Sequence, residues 1–168
     1  MKSILVLIVL LFSTLSMAQN PAGFDKMAKN MAGKKIPNIS KEELQKLIAS
    51  NNSIILLDAR EQKEYNVSHL SNAIWIGSNQ VNWKSIESLD KNATIVIYCS
   101  VGYRSGKLTE ELLKRGFKNV KNLYGGLFNW VNNGGFIETT NHQKTTNVHG
   151  YDEKWSQWLN PSRANIIL

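Results

Sequence analysis

From Ile36 onward the chain alternates between two hydrophobic patterns. Two uninterrupted apolar runs, "SIILLDA" at 53–59 and "ATIVIYC" at 93–99, stand between stretches where apolar residues recur every three or four positions. An apolar run bounded by polar turns is a strand buried on both faces, and a three-to-four repeat is one stripe of a helix. "IPNISKEELQKLIAS" opens with a short extended piece. Ser40 then takes the N-cap position with Glu43 three residues on, a capping box, and Leu44, Leu47 and Ile48 form the stripe of the helix that follows. "EQKEYNV" predicts a helical turn, "NAIWIG" a brief strand and "VNWKSIESL" a helix. "SGKLTEELLKRG" predicts a helix with Leu108, Leu112 and Leu113 on one side and Gly116 at its C-terminal stop. "NVKNLYG" reads as a strand and "GLFNWVNNGG" as a last short helix. Strands alternating with helices, with runs rather than period-two alternation, predict an α/β, three-layer domain over 36–135. Its central parallel sheet is flanked by helices.

The two ends follow other rules. Lys2, the apolar stretch Ile4 to Phe12 and the small residues Ser16-Met17-Ala18 form the pattern of a signal peptide over 1–18. The stretch is too short for the roughly 20 residues of a bilayer span. Cleavage after Ala18 would leave a chain starting at Gln19 with no cysteine near it, which excludes a lipid-anchored lipoprotein and leaves no stable membrane anchor. An uncleaved anchor is the competing reading. Residues 19–35 read as a polar leader or short helix without a strong pattern. The segment 136–168 is a C-terminal extension whose Trp155, Trp158, Leu159 and Ile166-Ile167-Leu168 are expected to pack back on the domain as a helix or strap. A partner-binding tail is the alternative there. The signal-peptide pattern implies a bacterial periplasmic or secreted location.

Charge narrows the partners. The net charge is +7, but the basic residues are scattered from Lys34 to Lys121 without a run, so no nucleic-acid surface is expected. The single cysteine, Cys99, excludes an internal disulfide, so an exported fold of this kind rests on its core alone.

Cys99 ends the second apolar run, and the next helix begins within a few residues. In open α/β sheets ligands bind beyond the carboxyl ends of the strands. Backbone N–H groups from Ser100 to Ser105 have no strand partners there and can curl around an anion at the head of a helix. Thiols at helix N-termini and beside Arg ionise more readily. Gly102 permits the tight curl, Arg104 offers a planar charged fork to an oxyanion substrate, and Lys107 lies one turn further on. The competing reading is an inert cysteine packed in a core strand.

These residues resemble the rhodanese-like sulfurtransferases, a likeness that runs from about Ile36 to Gly135. "LLDAREQKEYNVSHLSNAIWIG" carries the family's Asp-x-Arg, Glu-Tyr, His-Ile and Ala-x-x-Ile elements at Asp58, Arg60, Glu64, Tyr65, His69, Ala73 and Ile76. "IVIYCSVGYRS" resembles its active-site loop, and "LYGGLFNW" its Gly-Gly-x-x-x-Trp signature at Gly125, Gly126 and Trp130. The resemblance implies that Cys99 takes a sulfane sulfur from a small anionic donor such as thiosulfate, as a persulfide, and passes it to cyanide or a thiol. It implies no metal and no cofactor. It further implies that Ser100, Val101, Gly102, Tyr103, Arg104 and Ser105 bind substrate. Asp58, Arg60, Glu64, His69, Gly125, Gly126 and Trp130 are then structural, with His69 packing or hydrogen bonding rather than acting as a base. Departures occur at Ser68, where the family has Gly, and at Ser71-Asn72, where it has Pro-Gly.

Other functions compete. A protein or arsenate phosphatase also uses a strand-end Cys and an Arg, but with five intervening residues, whereas four separate Cys99 from Arg104. A non-catalytic rhodanese-like binding or regulatory module usually lacks the cysteine. A thiol redox protein needs a second thiol from elsewhere.

Overall fold

The two apolar runs pair with each other at the centre of the sheet. In the computed structural model, which describes residues 21–33, 35–50 and 53–168, they are β2 (Ile54–Asp58) and β4 (Thr94–Tyr98). They lie parallel with Leu56 opposite Val96 and Leu57 opposite Ile97. Outside them stand β5 (Asn119–Leu123), next to β4, and β3 (Ile74–Trp75), next to β2. The edge strand β1 (Asn38–Ile39) pairs with β5, so the order is β1-β5-β4-β2-β3 with every neighbouring pair parallel. This is the three-layer α/β fold that the alternation predicts.

Side-chain alternation splits the core into two layers. Leu56, Val96, Tyr98 and Leu123 join one buried cluster with Ile39, Leu44 and Phe128. Leu57, Ile95, Ile97 and Cys99 join the other with Leu108 and Leu112 of α5 (Tyr103–Lys114). Full burial of each such Leu or Ile contributes about 1.5–3 kcal/mol, so register is fixed by both faces at once. The remaining helices are α2 (Lys41–Ala49), α3 (Gln62–Val67), α4 (Trp83–Glu87) and α6 (Gly126–Asn132). α2 starts with the capping box the sequence predicts: Glu43 N–H donates to Ser40 Oγ at 3.1 Å, and Ser40 N–H to Glu43 Oε2 at 2.8 Å.

Two segments differ in detail from expectation. The leader is a regular helix, α1 (Pro21–Met31), and its Phe24 and Ala28 are buried in the first cluster with Met27 and Met31 packed alongside. The spacing 24, 27, 28, 31 is a helix stripe, so the segment carries the amphipathic pattern that a patternless leader lacks. The extension is neither a single helix nor a plain strap. β6 (Asn147–His149) and β7 (Asn165–Ile167) form a separate parallel pair around the short α7 (Glu153–Ser156). Val148, Leu159 and Ala164 are buried in the first cluster, and Trp158 meets Phe24 edge-on with ring centroids 6.2 Å apart. The signal-peptide expectation over 1–18 lies outside the described residues. Among the described residues no helix is long and apolar enough to cross a membrane.

The residues that depart from the family pattern hold the extension. Ser68 Oγ donates to the Asn147 carbonyl at 2.6 Å, and the Ser71 hydroxyl donates to the Glu138 carboxylate. Asn72 adopts a left-handed φ of +60°, and its N–H donates to Glu138 Oε1 at 3.3 Å. His69 and Glu138 exchange both backbone hydrogen bonds at 2.9 Å. Replacing Ser68 by Ala removes this part-buried hydrogen bond, which costs about 0.5–1.5 kcal/mol. Ser68→Ala is expected to lower the thermal midpoint and to speed proteolysis within 136–168 relative to the rest of the chain. Unchanged melting and an unchanged cleavage pattern would refute this anchoring role.

Candidate active site

The loop between β4 and α5 folds back on the sulfur that begins it. Cys99 is 1% exposed, and Gly102 N–H donates to its Sγ at 3.2 Å. Gly102 stands at φ +97°, a left-handed conformation that other residues adopt at a cost. Its own Cβ would meet only ordinary contacts, so the dihedral rather than crowding demands glycine here. α5 begins at Tyr103, two residues before the "SGKLTEELL" segment. The first N–H groups of that helix have no helical acceptor, and the positive end of its dipole lies beside the thiol.

Carbonyl direction is set from behind. Leu127 N–H donates to the Cys99 carbonyl at 2.8 Å, and Phe128 N–H to the Ser100 carbonyl at 3.0 Å. The start of α6 therefore holds both carbonyls ahead of the turn at which Gly102 N–H reaches the sulfur. This contact accounts for the glycine pair. Gly125 and Gly126 have φ of +69° and +57°, and a Cβ on Gly126 would lie 2.3 Å from the Cys99 carbonyl oxygen. Trp130, the third member of that signature, donates from Nε1 to the Phe136 carbonyl at 2.8 Å and so ties α6 to the start of the extension.

Arg104 and Glu64 form the charged frame. Arg104 Nη1 and Nη2 donate to the two Glu64 oxygens at 2.6 and 2.8 Å, and Ser100 Oγ donates to Glu64 Oε1 at 2.7 Å. Glu61 N–H adds a fourth donor to the same carboxylate. Burial alone would raise the Glu64 pKa, but the Arg104 hydrogen bonds and charge outweigh it. With the Arg60 charge and the Ser100 hydroxyl added, they hold it at about 2. Burial opposes the Arg104 charge as well, yet its hydrogen bonds to Glu64 and the neighbouring Cys99 sulfur keep it above the ordinary arginine value. Both terminal nitrogens of Arg104 donate to Glu64 while its side chain lines the cavity over Cys99, so the guanidinium braces the loop beside the sulfur. The Ser105 side chain is fully buried and donates to Asn122 Oδ1 at 2.7 Å. Asn122, which the reading of the sequence passes over, donates in turn to the Gly102 carbonyl at 3.2 Å and so supports the loop.

Asp58 and Arg60 lie behind this frame. Both are fully buried, with Arg60 Nη2 donating to Asp58 Oδ2 and to the Ser68 carbonyl, each at 2.6 Å. Trp75 Nε1 donates to the Arg60 carbonyl at 2.9 Å, and Tyr98 OH accepts from Leu70 N–H at 3.1 Å. His69 is buried, stacked on Tyr65 with centroids 4.0 Å apart, and its Nδ1 sits 3.1 Å from the Tyr65 carbonyl. Nothing in its surroundings brings it to Cys99.

A cavity of about 480 Å³ opens over the sulfur. Cys99, Ser100, Val101, Tyr103 and Arg104 line it from the loop. Met31, Tyr151 and Trp155 line it from α1 and the extension, and none of the three was foreseen as a site residue. Only the fold brings them there, because they lie nearly seventy positions before and some fifty after the nucleophile in sequence. Among the described residues no cluster of three His, Cys, Asp or Glu side chains is placed to hold a metal ion.

Residues 40–133 match the Rhodanese-like domain family. The chain belongs to that family. It is 35% identical over 96 residues to the putative sulfur carrier protein YrkF of Bacillus subtilis, covering 57% of this chain and 51% of that one, so it spans about half of YrkF's length. It is 31% identical over 100 residues to the thiosulfate sulfurtransferase GlpE of Coxiella burnetii, covering 60% of this chain and 89% of that one. A rhodanese-like domain protein from Staphylococcus aureus superposes with a TM-score of 0.56 at 26% identity, over 62% of this chain and 99% of that one. The matched family segment ends before Tyr151 and begins after Met31.

Two outcomes follow for this rhodanese-like site. The folded pKa of Glu64 lies below its unfolded value of 4.5, so the unfolded chain binds the proton first on acidification. The resulting stabilisation, on the order of 3 kcal/mol, is complete above pH 4.5 and disappears as pH falls toward 2. Urea midpoints of the wild type and Glu64→Gln are expected to differ at pH 7 and to converge below pH 3; a gap independent of pH would count against the ion pair. Gly126→Ala forces the start of α6 away from the Cys99 carbonyl. It should reduce sulfur transfer at least tenfold in a chain that still gives a folded circular dichroism spectrum.

Proposed function

We propose that the protein is an exported sulfurtransferase that carries sulfane sulfur as a persulfide on Cys99. What supports the reading above all is the position of Sγ: at the floor of an open cavity, accepting Gly102 N–H, with the loop carbonyls tied to α6. A thiolate held this way attacks the outer sulfur of a donor such as thiosulfate. The new Cys99–sulfur bond forms as the donor's S–S bond breaks and sulfite leaves with the electron pair. The persulfide then sits among the same N–H groups until cyanide or a thiol removes its outer sulfur, regenerating the thiolate. No metal or organic cofactor enters either step. Four residues between Cys99 and Arg104 form a loop one residue tighter than a phosphatase uses, which suits a single sulfur atom better than a tetrahedral phosphoryl group. Export rests on the apolar segment Ile4 to Phe12 and the small residues before Gln19.

The test is thiosulfate-to-cyanide transfer by the wild type and Cys99→Ser, with intact mass recorded after thiosulfate alone. Thiocyanate from the wild type only, with a mass gain of one sulfur atom on Cys99, is the expected result. No turnover and no added sulfur with any sulfane donor would leave a binding module instead. A chain recovered from the host's exported fraction should begin at Gln19, and one that keeps Met1 would refute cleavage.

A further inference from the structure

We infer that the segments outside the family core select the acceptor, and that it is a small organic thiol with an apolar, preferably aromatic, body. The inference rests on the proposed sulfur transfer. The cavity over Cys99 measures about 480 Å³, within the range of small-molecule sites and far more than cyanide or thiosulfate fills. Of the eight described residues that line it, Met31, Val101, Tyr103, Tyr151 and Trp155 are apolar or aromatic. The one cation among the eight, Arg104, already faces the buried Glu64 carboxylate, so the cavity offers no uncompensated charge to an anion beyond the loop N–H groups. A neutral apolar body is the ligand such walls recognise, with its sulfur directed at the floor.

The outer wall is built in advance. Tyr151 sits at φ +71°, and its N–H donates to His149 Nδ1 at 2.9 Å. Gly150 N–H donates to the Ile167 carbonyl at 2.8 Å, joining this corner to the β6–β7 pair. Asp152 Oδ1 accepts from Trp155 N–H at 2.8 Å and starts the helix that carries the indole. The Tyr151 ring lies 5.3 Å from the Arg104 guanidinium carbon, which places the extension directly against the active-site frame. A wall fixed by backbone hydrogen bonds loses little freedom when a ligand docks, so its contacts count toward affinity.

In the transfer itself the acceptor thiolate attacks the outer sulfur of the Cys99 persulfide. An acceptor S–S bond forms, the Cys99 S–S bond breaks, and Cys99 leaves as thiolate, so the product is the acceptor's persulfide with no net change in oxidation state. The acceptor's thiol proton goes to solvent as it ionises.

The experiment loads the full-length protein with thiosulfate and follows discharge by cyanide, 2-mercaptoethanol and phenylmethanethiol in wild type, Trp155→Ala and Tyr151→Gly. Glycine accepts the positive φ at 151, so that variant keeps its backbone if the tryptophan variant does not fold. The expected result is a kcat/KM for phenylmethanethiol at least tenfold above that for 2-mercaptoethanol, carried by KM, with the ratio falling toward one in either folded variant. Equal kcat/KM for the two thiols, or a preference that survives both substitutions, overturns the inference while cyanide discharge leaves the sulfurtransferase reading intact. Failure to load sulfur or to release it even to cyanide overturns the sulfurtransferase reading, and this one with it.

Discussion

The site depends on where two carbonyl oxygens point. A peptide unit is planar, so fixing the direction of its C=O fixes the N–H of the next residue. By donating to the Cys99 and Ser100 carbonyls, Leu127 and Phe128 of α6 fix the two peptide units that lead into the turn where Gly102 N–H meets Sγ. That grip requires the first turn of α6 to lie nearly in contact with the loop backbone, which only the missing Cβ of Gly126 allows. The glycine signature and the cysteine loop are therefore one device, assembled from segments a helix and a strand apart.

Charge is arranged in two tiers behind that device. Glu64 and Arg104 clamp the loop from one side, while Asp58 and Arg60 join β2 to the turn that carries Ser68. Glu64, Asp58 and Arg60 are buried and Arg104 is part-buried, each with an opposite charge and hydrogen bonds, the condition under which burial is tolerable. Arg104 stands beside the sulfur with its charge balanced by Glu64.

The extension is joined to the family core at the points where the core departs from its relatives' pattern. Ser68 and Ser71 supply hydroxyls to Asn147 and Glu138, and Asn72 supplies a left-handed turn with an N–H for the same carboxylate. Anchored there, β6 carries Tyr151 and Trp155 round to the mouth of the cavity. The loop after α3 is thereby tied to the segment whose Tyr151 and Trp155 line the cavity.

Local pattern was enough for much of this protein. Apolar runs specify strands buried on both faces, and the stripe after Ser40 specifies a capped helix. Cys99 at a strand end followed by Gly102 and Arg104 specifies a thiol at the head of a helix. All of these follow from spacing within about a dozen residues. The partners of those residues do not. That Arg104 faces Glu64, that Ser105 supports the loop through Asn122, and that Met31, Tyr151 and Trp155 roof the sulfur all join positions dozens of residues apart. The sequence by itself determined the layers, the strand-end position of Cys99 and the loop that follows it, because backbone period and dihedral freedom are local properties. The tertiary structure alone decided which charges cancel and what surrounds the sulfur, because those depend on which distant side chains the packed core brings within reach.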